Sequence, residues 1–416
     1  MLTMEEALER VLEGTGLIAE EEVDLARAHM RVLSRPVESP RSIPPWDNSA
    51  MDGFAVRFAD TQEVPVTLKV VDTIPAGGVP SCEVGAREAS RIMTGAPFPD
   101  GADTIVMVED TAEVPGGVQI NAPTRPAQHI RRAGEDVQPG DRVLEAGTVL
   151  TPARVGILAA LGLPSVWVRR QPTVAILSTG DEVIPPGQPL GPGQIYSSNT
   201  HALMGLVVQA GGIPIDCGIA PDEPTGLAEA FRRCMGADLI VSTGGVSVGD
   251  FDYVKDVLEN EGAVLDFWKV RMKPGKPLAY GRIADTPAFG LPGNPVSCMV
   301  NFLQFVRPVM RTMLGSPNPF LPVVDAVMDE DVKKRAGRAW LERVCLSRGP
   351  DGAIHAVRTG SQSSGVLSSM VRADGLLLLP VESLGCALGD TVRVQVIDWG
   401  FLEGSAPDFG WDQADA

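Results

Sequence analysis

Between residues 172 and 314 short apolar runs alternate with amphipathic helical stretches, and several of the runs end in a glycine loop. PTVAILSTGDE reads as a strand entering a loop, and NTHALMGLVVQAGG as a helix stopped by Gly211 and Gly212. GIPIDCGIA is a strand. PTGLAEAFRRCMG is a helix, with Asp222 near its start suited to an N-terminal cap. ADLIVSTGGVSVGD gives a strand and a second glycine loop, and FDYVKDVLENEG another helix. AVLDFWKV and LAYGRI read as strands joined by the RMKPGKP turn, PAFGLPGNP as the last strand and loop, and VSCMVNFLQFVRPVMRTMLG as one long helix. Alternation with such short links predicts a mainly parallel, doubly wound sheet. Ligands of such sheets sit at the carboxyl ends of the strands, which is where the glycine loops fall.

The flanks have a different character. Residues 4–12 place Met4, Ala7, Leu8, Val11 and Leu12 on one helical face, and a second short helix is expected over 20–30. RPVESPRSIPPWDNSAMDGFAV reads as an ordered loop leading into a β-rich region over 54–145. PARVGILAALG returns to helix and SVWVRR to strand. After Pro317 five alternating runs predict a small barrel or sandwich, followed by a solvated acidic tail. The 45 glycines and 35 prolines favour tight turns and short elements over any long coiled coil.

Charge and composition exclude several classes. A net charge of −18 repels nucleic acid and anionic membrane, so an anionic ligand needs a locally basic cleft. No apolar run approaches the ~20 residues that span a bilayer. MLTMEEALER lacks the basic and apolar regions of a signal peptide, and the six cysteines form no CxxC pair, which predicts a cytoplasmic protein with reduced thiols. The four histidines form no HxH or i,i+4 pair, so zinc hydrolase and histidine-triad chemistry lack support. There is neither a Walker loop nor a GxGxxG fingerprint.

Carboxylates, lysines and backbone amides are left to carry any chemistry. Ser178–Glu182, Ser242–Ser247, Lys273–Pro277 and Leu291–Pro295 fall at strand ends, where glycines allow close approach of a phosphate. Lys273 and Lys276 add positive charge. Asp181, Glu182, Asp250 and Asp252 are oxygen ligands of the kind Mg²⁺ takes alongside phosphate. Phosphoanhydride chemistry is the natural inference, although each loop taken singly also reads as a tight turn. The DNSAMDG segment, with Asp47 and Asp52, reads either as a metal- or water-orienting loop or as Asx turns. The loops at Met93–Pro97 and Arg131–Asp136 also read as ordinary surface turns.

Taken together, DNSAMDGFA, MTGAPFPDGAD, RRAGEDV, ILSTGDE, STGGVSVGDFDY, KPGKP and GLPGNPVS resemble the molybdopterin molybdenumtransferase family, which includes the E-domain of gephyrin. The resemblance covers nearly the whole chain. It implies an α/β multidomain protein: a split domain I (1–40 plus 141–171), a β-rich insertion as domain II (41–140), an α/β domain III that binds the pterin nucleotide (172–314), and a C-terminal β-barrel as domain IV (315–402). It implies a cytoplasmic homodimer, with a site built from domains III and IV of one subunit and domain II of the other. The implied reaction is Mg²⁺-dependent insertion of molybdate into adenylylated molybdopterin with release of AMP, and the pterin adenylyltransferase is a possible partner.

Carried over motif by motif, the implied active-site residues are Asp52, Thr94, Asp136, Glu182, Asp222, Asp252, Lys269, Lys273, Pro292 and Pro295. Molybdate is assigned to Lys273, Lys276, Ser297, Arg343 and Ser368, and Mg²⁺ to Asp52, Glu182 and Asp252. Asp181 is assigned to loop structure, with metal contact equally open. One departure is Thr243 before the glycines of the second loop, where a hydroxyl is retained. The competing readings are a pterin adenylyltransferase of the same fold, a tungsten insertase, and a non-catalytic scaffold. The flanking domains and DNSAMDG favour metal insertion over the first, and the absence of appended partner domains disfavours the last.

Overall fold

The computed structural model describes residues 1–245, 263–283, 285–350 and 352–403. The chain divides into two compact units: Met1–Glu21, Met30–Val32 and Arg169–Ala416 form one, and Glu22–His29 with Leu33–Val168 the other.

The larger unit holds the predicted sheet. Its six strands lie in the order Ile213–Ala220, Thr173–Thr179, Leu239–Thr243, Thr286–Leu291, Pro277–Ile283, Ala263–Lys269. The first four run parallel and the last two add antiparallel. TVAILST and LIVST are almost wholly buried, as parallel strands covered on both faces must be. One apolar cluster joins the sheet to Leu203, Leu206 and Val207 of the Ser198–Ala210 helix and to the helices that follow Pro295. A second, around Leu227, Ala230 and Phe231 of the Pro224–Cys234 helix, covers other sheet residues and completes the doubly wound arrangement. The Met4–Leu12 helix, opened by a Thr3–Glu6 capping box, buries Ala7 and Val11 in the first cluster.

The barrel alternative is the one observed after Pro317. Ala339–Arg348, Ile354–Arg358, Val323–Met328, Thr391–Val396 and Gly375–Leu379 follow one another, and the last pairs back onto the first. Met272–Lys273 joins the start of Ala339–Arg348 in parallel, so the sheet domain's KPGKP loop begins beside a barrel strand.

In the smaller unit, six strands form a sheet in the order Thr104–Met107, Gly53–Val56, Glu88–Ile92, Val66–Ile74, Gly117–Ile120, Thr111–Val114. Gly53, directly after Asp52, is required there: a Cβ would stand 2.0 Å from the Val106 carbonyl oxygen.

Two of the expected helices differ in the structure. Residues 20–30 form a short strand, Glu20–Asp24, and a 3₁₀ turn, Leu25–Arg27, instead of a helix. Three successive glutamates leave no apolar helical face, and Val23 is the one buried residue of that strand. The long helix after GLPGNP is interrupted: Pro295–Asn301 and Arg307–Met313 are α-helical, but Phe302–Val306 is a π turn. Pro308 has no N–H for the residue 304 carbonyl, and its ring crowds that carbonyl, so the widened turn fits there. Among the described residues, no helix is long and apolar enough to cross a membrane.

Candidate active site

A cavity of about 1220 Å³ opens where Thr173–Thr179, Leu239–Thr243 and Thr286–Leu291 end. Its wall includes Glu182, Asp222, Lys273, Lys276, Pro292, Pro295 and Ser297, so seven of the predicted positions converge from loops far apart in sequence. Gln362, Ser363, Ser364 and Leu367 of the barrel, together with Arg338, complete one side.

The loops are stapled to one another. Asn199, at the start of its helix, donates from Nδ2 to Thr243 Oγ1 (2.9 Å) and to the Gly293 carbonyl (2.8 Å). Thr243 Oγ1 in turn donates to the Pro292 carbonyl at 3.1 Å. Gly244 adopts φ +97°, and a Cβ there would stand 2.6 Å from the Thr179 carbonyl oxygen. Asn199 Oδ1 and Thr179 Oγ1 are buried at this wall and have no hydrogen-bond partner among the described residues.

The cationic side is equally braced. Asn301 is fully buried and donates to the Gly275 carbonyl (3.2 Å) and the Pro277 carbonyl (3.1 Å), which fixes the backbone that carries Lys273 and Lys276. Gly275 adopts φ +92°, and a Cβ would meet Asn301 Oδ1 at 2.6 Å. Lys273 is half-buried and Lys276 exposed.

The acidic side is under electrostatic tension. Burial pushes the Asp222 carboxyl above the ordinary aspartate range, and the neighbouring Asp181 and Glu182 charges push it further. Asp181 accepts the Asp222 N–H at 3.1 Å, the loop role assigned to it. Asp222 does not cap the following helix as expected. Glu223 takes that position and accepts from the Gly226 N–H, which leaves the Asp222 side chain at the cavity. Among the described residues, no three His, Cys, Asp or Glu side chains stand close enough to hold a metal. Glu182 and Asp222 fit Mg²⁺ differently: it is usually held by one or two carboxylates plus phosphate oxygens, and a cation would relieve the repulsion that raises Asp222.

The other predicted positions are distributed as follows. Lys269 ends the Ala263–Lys269 strand opposite Pro277 and is not part of the cavity wall. Arg343 is buried; it donates to Ser369 Oγ (3.1 Å) and to the Ser363 carbonyl (3.2 Å), bracing the barrel loop that lines the cavity. Burial holds its pKa below the usual arginine value. Ser368 is exposed at the start of a one-turn helix next to Leu367. Asp252, with Asp250 and the helix expected over 251–262, lies outside the described residues.

Asp52, Thr94 and Asp136 belong to the smaller unit. Asp52 Oδ1 accepts from the Thr94 N–H (2.7 Å) and from Thr94 Oγ1 (2.9 Å), which lowers its pKa, with a smaller contribution from the Arg91 charge. Asp47 accepts from the Ala133 N–H and pairs with Arg132, so DNSAMDG and RRAGEDV are tied together. Asp136 is exposed, with its N–H on the Ile43 carbonyl.

Asn199, Asn301 and Arg338 were not singled out from the sequence. A signal existed for Asn199, a polar residue opening a helix at the strand-order switch. Asn301 had a weaker one, as a poor helix former set among apolar neighbours.

Three family profiles match in succession: the MoeA N-terminal region (domain I and II) over residues 2–162, a probable molybdopterin binding domain over 175–312, and the MoeA C-terminal region (domain IV) over 325–397. The chain is 41% identical over 392 residues to the molybdopterin molybdenumtransferase of a Nostoc species, covering 89% of this chain and 87% of that one. It is 38% identical over 399 residues to the protein of the same name from Haemophilus influenzae, covering 95% and 98%. The crystal structure of the molybdopterin biosynthesis moeA protein from Pyrococcus horikoshii OT3 aligns with a TM-score of 0.80 and 30% identity, over 95% of this chain and 100% of that one.

Proposed function

Because the chain belongs to the molybdopterin molybdenumtransferase family, and so is a transferase of molybdenum cofactor biosynthesis, we propose that its cavity binds adenylylated molybdopterin together with molybdate. Cleavage of the phosphoanhydride then releases AMP while molybdenum enters the dithiolene of the pterin. The observation that carries this reading is the meeting of two lysines and two carboxylates around one cavity at the strand ends. Both reactants are anions, and Lys273 and Lys276 offset charge that the chain's overall −18 would otherwise repel. Fixed cations in a walled site stabilise charge developing on phosphate, because they need no reorganisation at the moment of bond breaking. Glu182 and Asp222 would hold Mg²⁺, which when bound neutralises phosphate oxygens.

The test is direct. The protein is mixed with adenylylated molybdopterin, Mg²⁺ and molybdate, and AMP and metal-loaded pterin are measured. Both products are expected, and neither should form when molybdate is withheld. Adenylylation of unmodified molybdopterin from ATP, with no metal insertion, would overturn the reading in favour of an adenylyltransferase. The proposal extends to a cytoplasmic homodimer that receives its substrate from the pterin adenylyltransferase. Sedimentation of the purified chain as a monomer with full activity would remove the dimer from it.

A further inference from the structure

The ammonium of Lys273 lies over the indole of Trp340, with Nζ 3.7 Å from the ring centroid. Strand register makes the contact: in the parallel pairing of Met272–Lys273 with Ala339–Arg348, Lys273 stands opposite Trp340. Trp340 is partly buried against the barrel core, so its ring is a fixed platform. Glu342, two residues along the same strand and hence on the same face, is buried as well. Its Oε2 has no hydrogen-bond partner among the described residues, lies 3.8 Å from Arg358, and also feels the Lys273 and Arg343 charges.

This arrangement differs in kind from a salt bridge. A carboxylate partner would occupy the lysine's N–H donors and cancel its charge. An aromatic face attracts the cation through its quadrupole and leaves those donors free. A lysine left to wander would also lose more rotamer freedom on gripping an anion. The ring therefore restricts the lysine, a residue that also lines the cavity, without taking up its donors.

Resting on the proposed binding of molybdate in this cavity, we propose that Trp340 is a positioning residue: it holds Lys273 ready as an oxyanion ligand and so sets the affinity for molybdate. The occupant is recognised as a compact tetrahedral oxyanion, and the residue that tunes its grip is contributed by the barrel.

Equilibrium dialysis of the full chain against molybdate alone tests this, with Trp340→Tyr, Trp340→Phe and Trp340→Leu beside the wild type and thermal unfolding of each recorded. The Kd is expected to weaken stepwise as the ring's hold on a cation declines, reaching about tenfold for Trp340→Leu. Trp340→Met should weaken binding as much as Trp340→Leu, because bulk alone does not replace a ring. In a Lys273→Met background, Trp340→Leu should change the Kd by less than about twofold, since the two losses act through one group and cannot add. A flat Trp340 series, or losses that add across the double mutant, would overturn the inference while leaving the oxyanion site in place. A wild-type chain that binds no molybdate would instead remove the oxyanion site, and this inference with it. If Trp340→Leu unfolds, the Tyr and Phe variants, which keep an aromatic ring, still decide the matter.

Discussion

Asp52 and Asp222 are both marked by family motifs, yet their surroundings oppose each other. Asp52 is exposed in the smaller unit, where two hydrogen bonds from Thr94 favour its charge and lower its pKa. Asp222, at the cavity of the larger unit, is desolvated and faces the charges of Asp181 and Glu182, so its pKa is raised. The first carboxylate is already settled as an anion. The second is stabilised only if a cation arrives. A motif match therefore marks position, while the electrostatic role depends on which neighbours the fold supplies.

The largest effect should come from Lys273, whose charge stands at the same cavity as Asp222. Lys273→Ala is expected to lower kcat/KM for AMP release by about 10²–10³-fold, because a preorganised cation is lost. Wild-type turnover in that variant would remove the cavity from the reaction. Next in size, Asp222→Asn and Asp52→Asn should each reduce AMP release by about tenfold or more. A variant that kept full activity would break the comparison at that residue.

The stability of the same two variants should then move in opposite directions. A raised folded-state pKa means the ionised Asp222 costs stability above that pKa, and the cost fades as the pH falls through it. Asp222→Asn should therefore raise the unfolding temperature at pH 7 by about a degree or two, with no gain near pH 3. The sign reverses for Asp52. A lowered folded-state pKa contributes stability above the unfolded value that is lost as the pH falls through the folded value, so Asp52→Asn should slightly lower the unfolding temperature at pH 7. Matching shifts in calorimetry would erase the distinction. Mg²⁺ should sharpen it further: millimolar Mg²⁺ should raise the unfolding temperature of the wild type more than that of Asp222→Asn. The smallest expected effect is that of Thr94→Val, which removes one of the two hydrogen bonds to Asp52. The Asp52 carboxyl resonance should titrate at higher pH than in the wild type but still below an unperturbed aspartate, since the Thr94 N–H remains.

What the sequence made legible follows from how locally each feature is encoded. The sheet and barrel strands were readable because their apolar runs are continuous or alternating, and the cavity loops because glycine, lysine and carboxylates cluster at strand ends. Asn301 was not readable, since its task is to hold the Gly275 and Pro277 carbonyls, which reach it only through the tertiary fold. The cap at Glu223 instead of Asp222 was missed by one residue, within the usual uncertainty of helix ends. The π turn follows from Pro308, but its extent depends on how the surrounding helices pack.

The pairing of Met272–Lys273 with the barrel leaves this segment little freedom of length. Neighbouring residues in a strand face opposite ways, and here the Met272 side chain is buried in the core while Lys273 lies over Trp340. Adding or deleting one amino acid just upstream would exchange the two, thrusting an ammonium into hydrocarbon and a thioether toward the anion. Natural length variation in this stretch should accordingly be rare, and where it occurs it should come in steps of two.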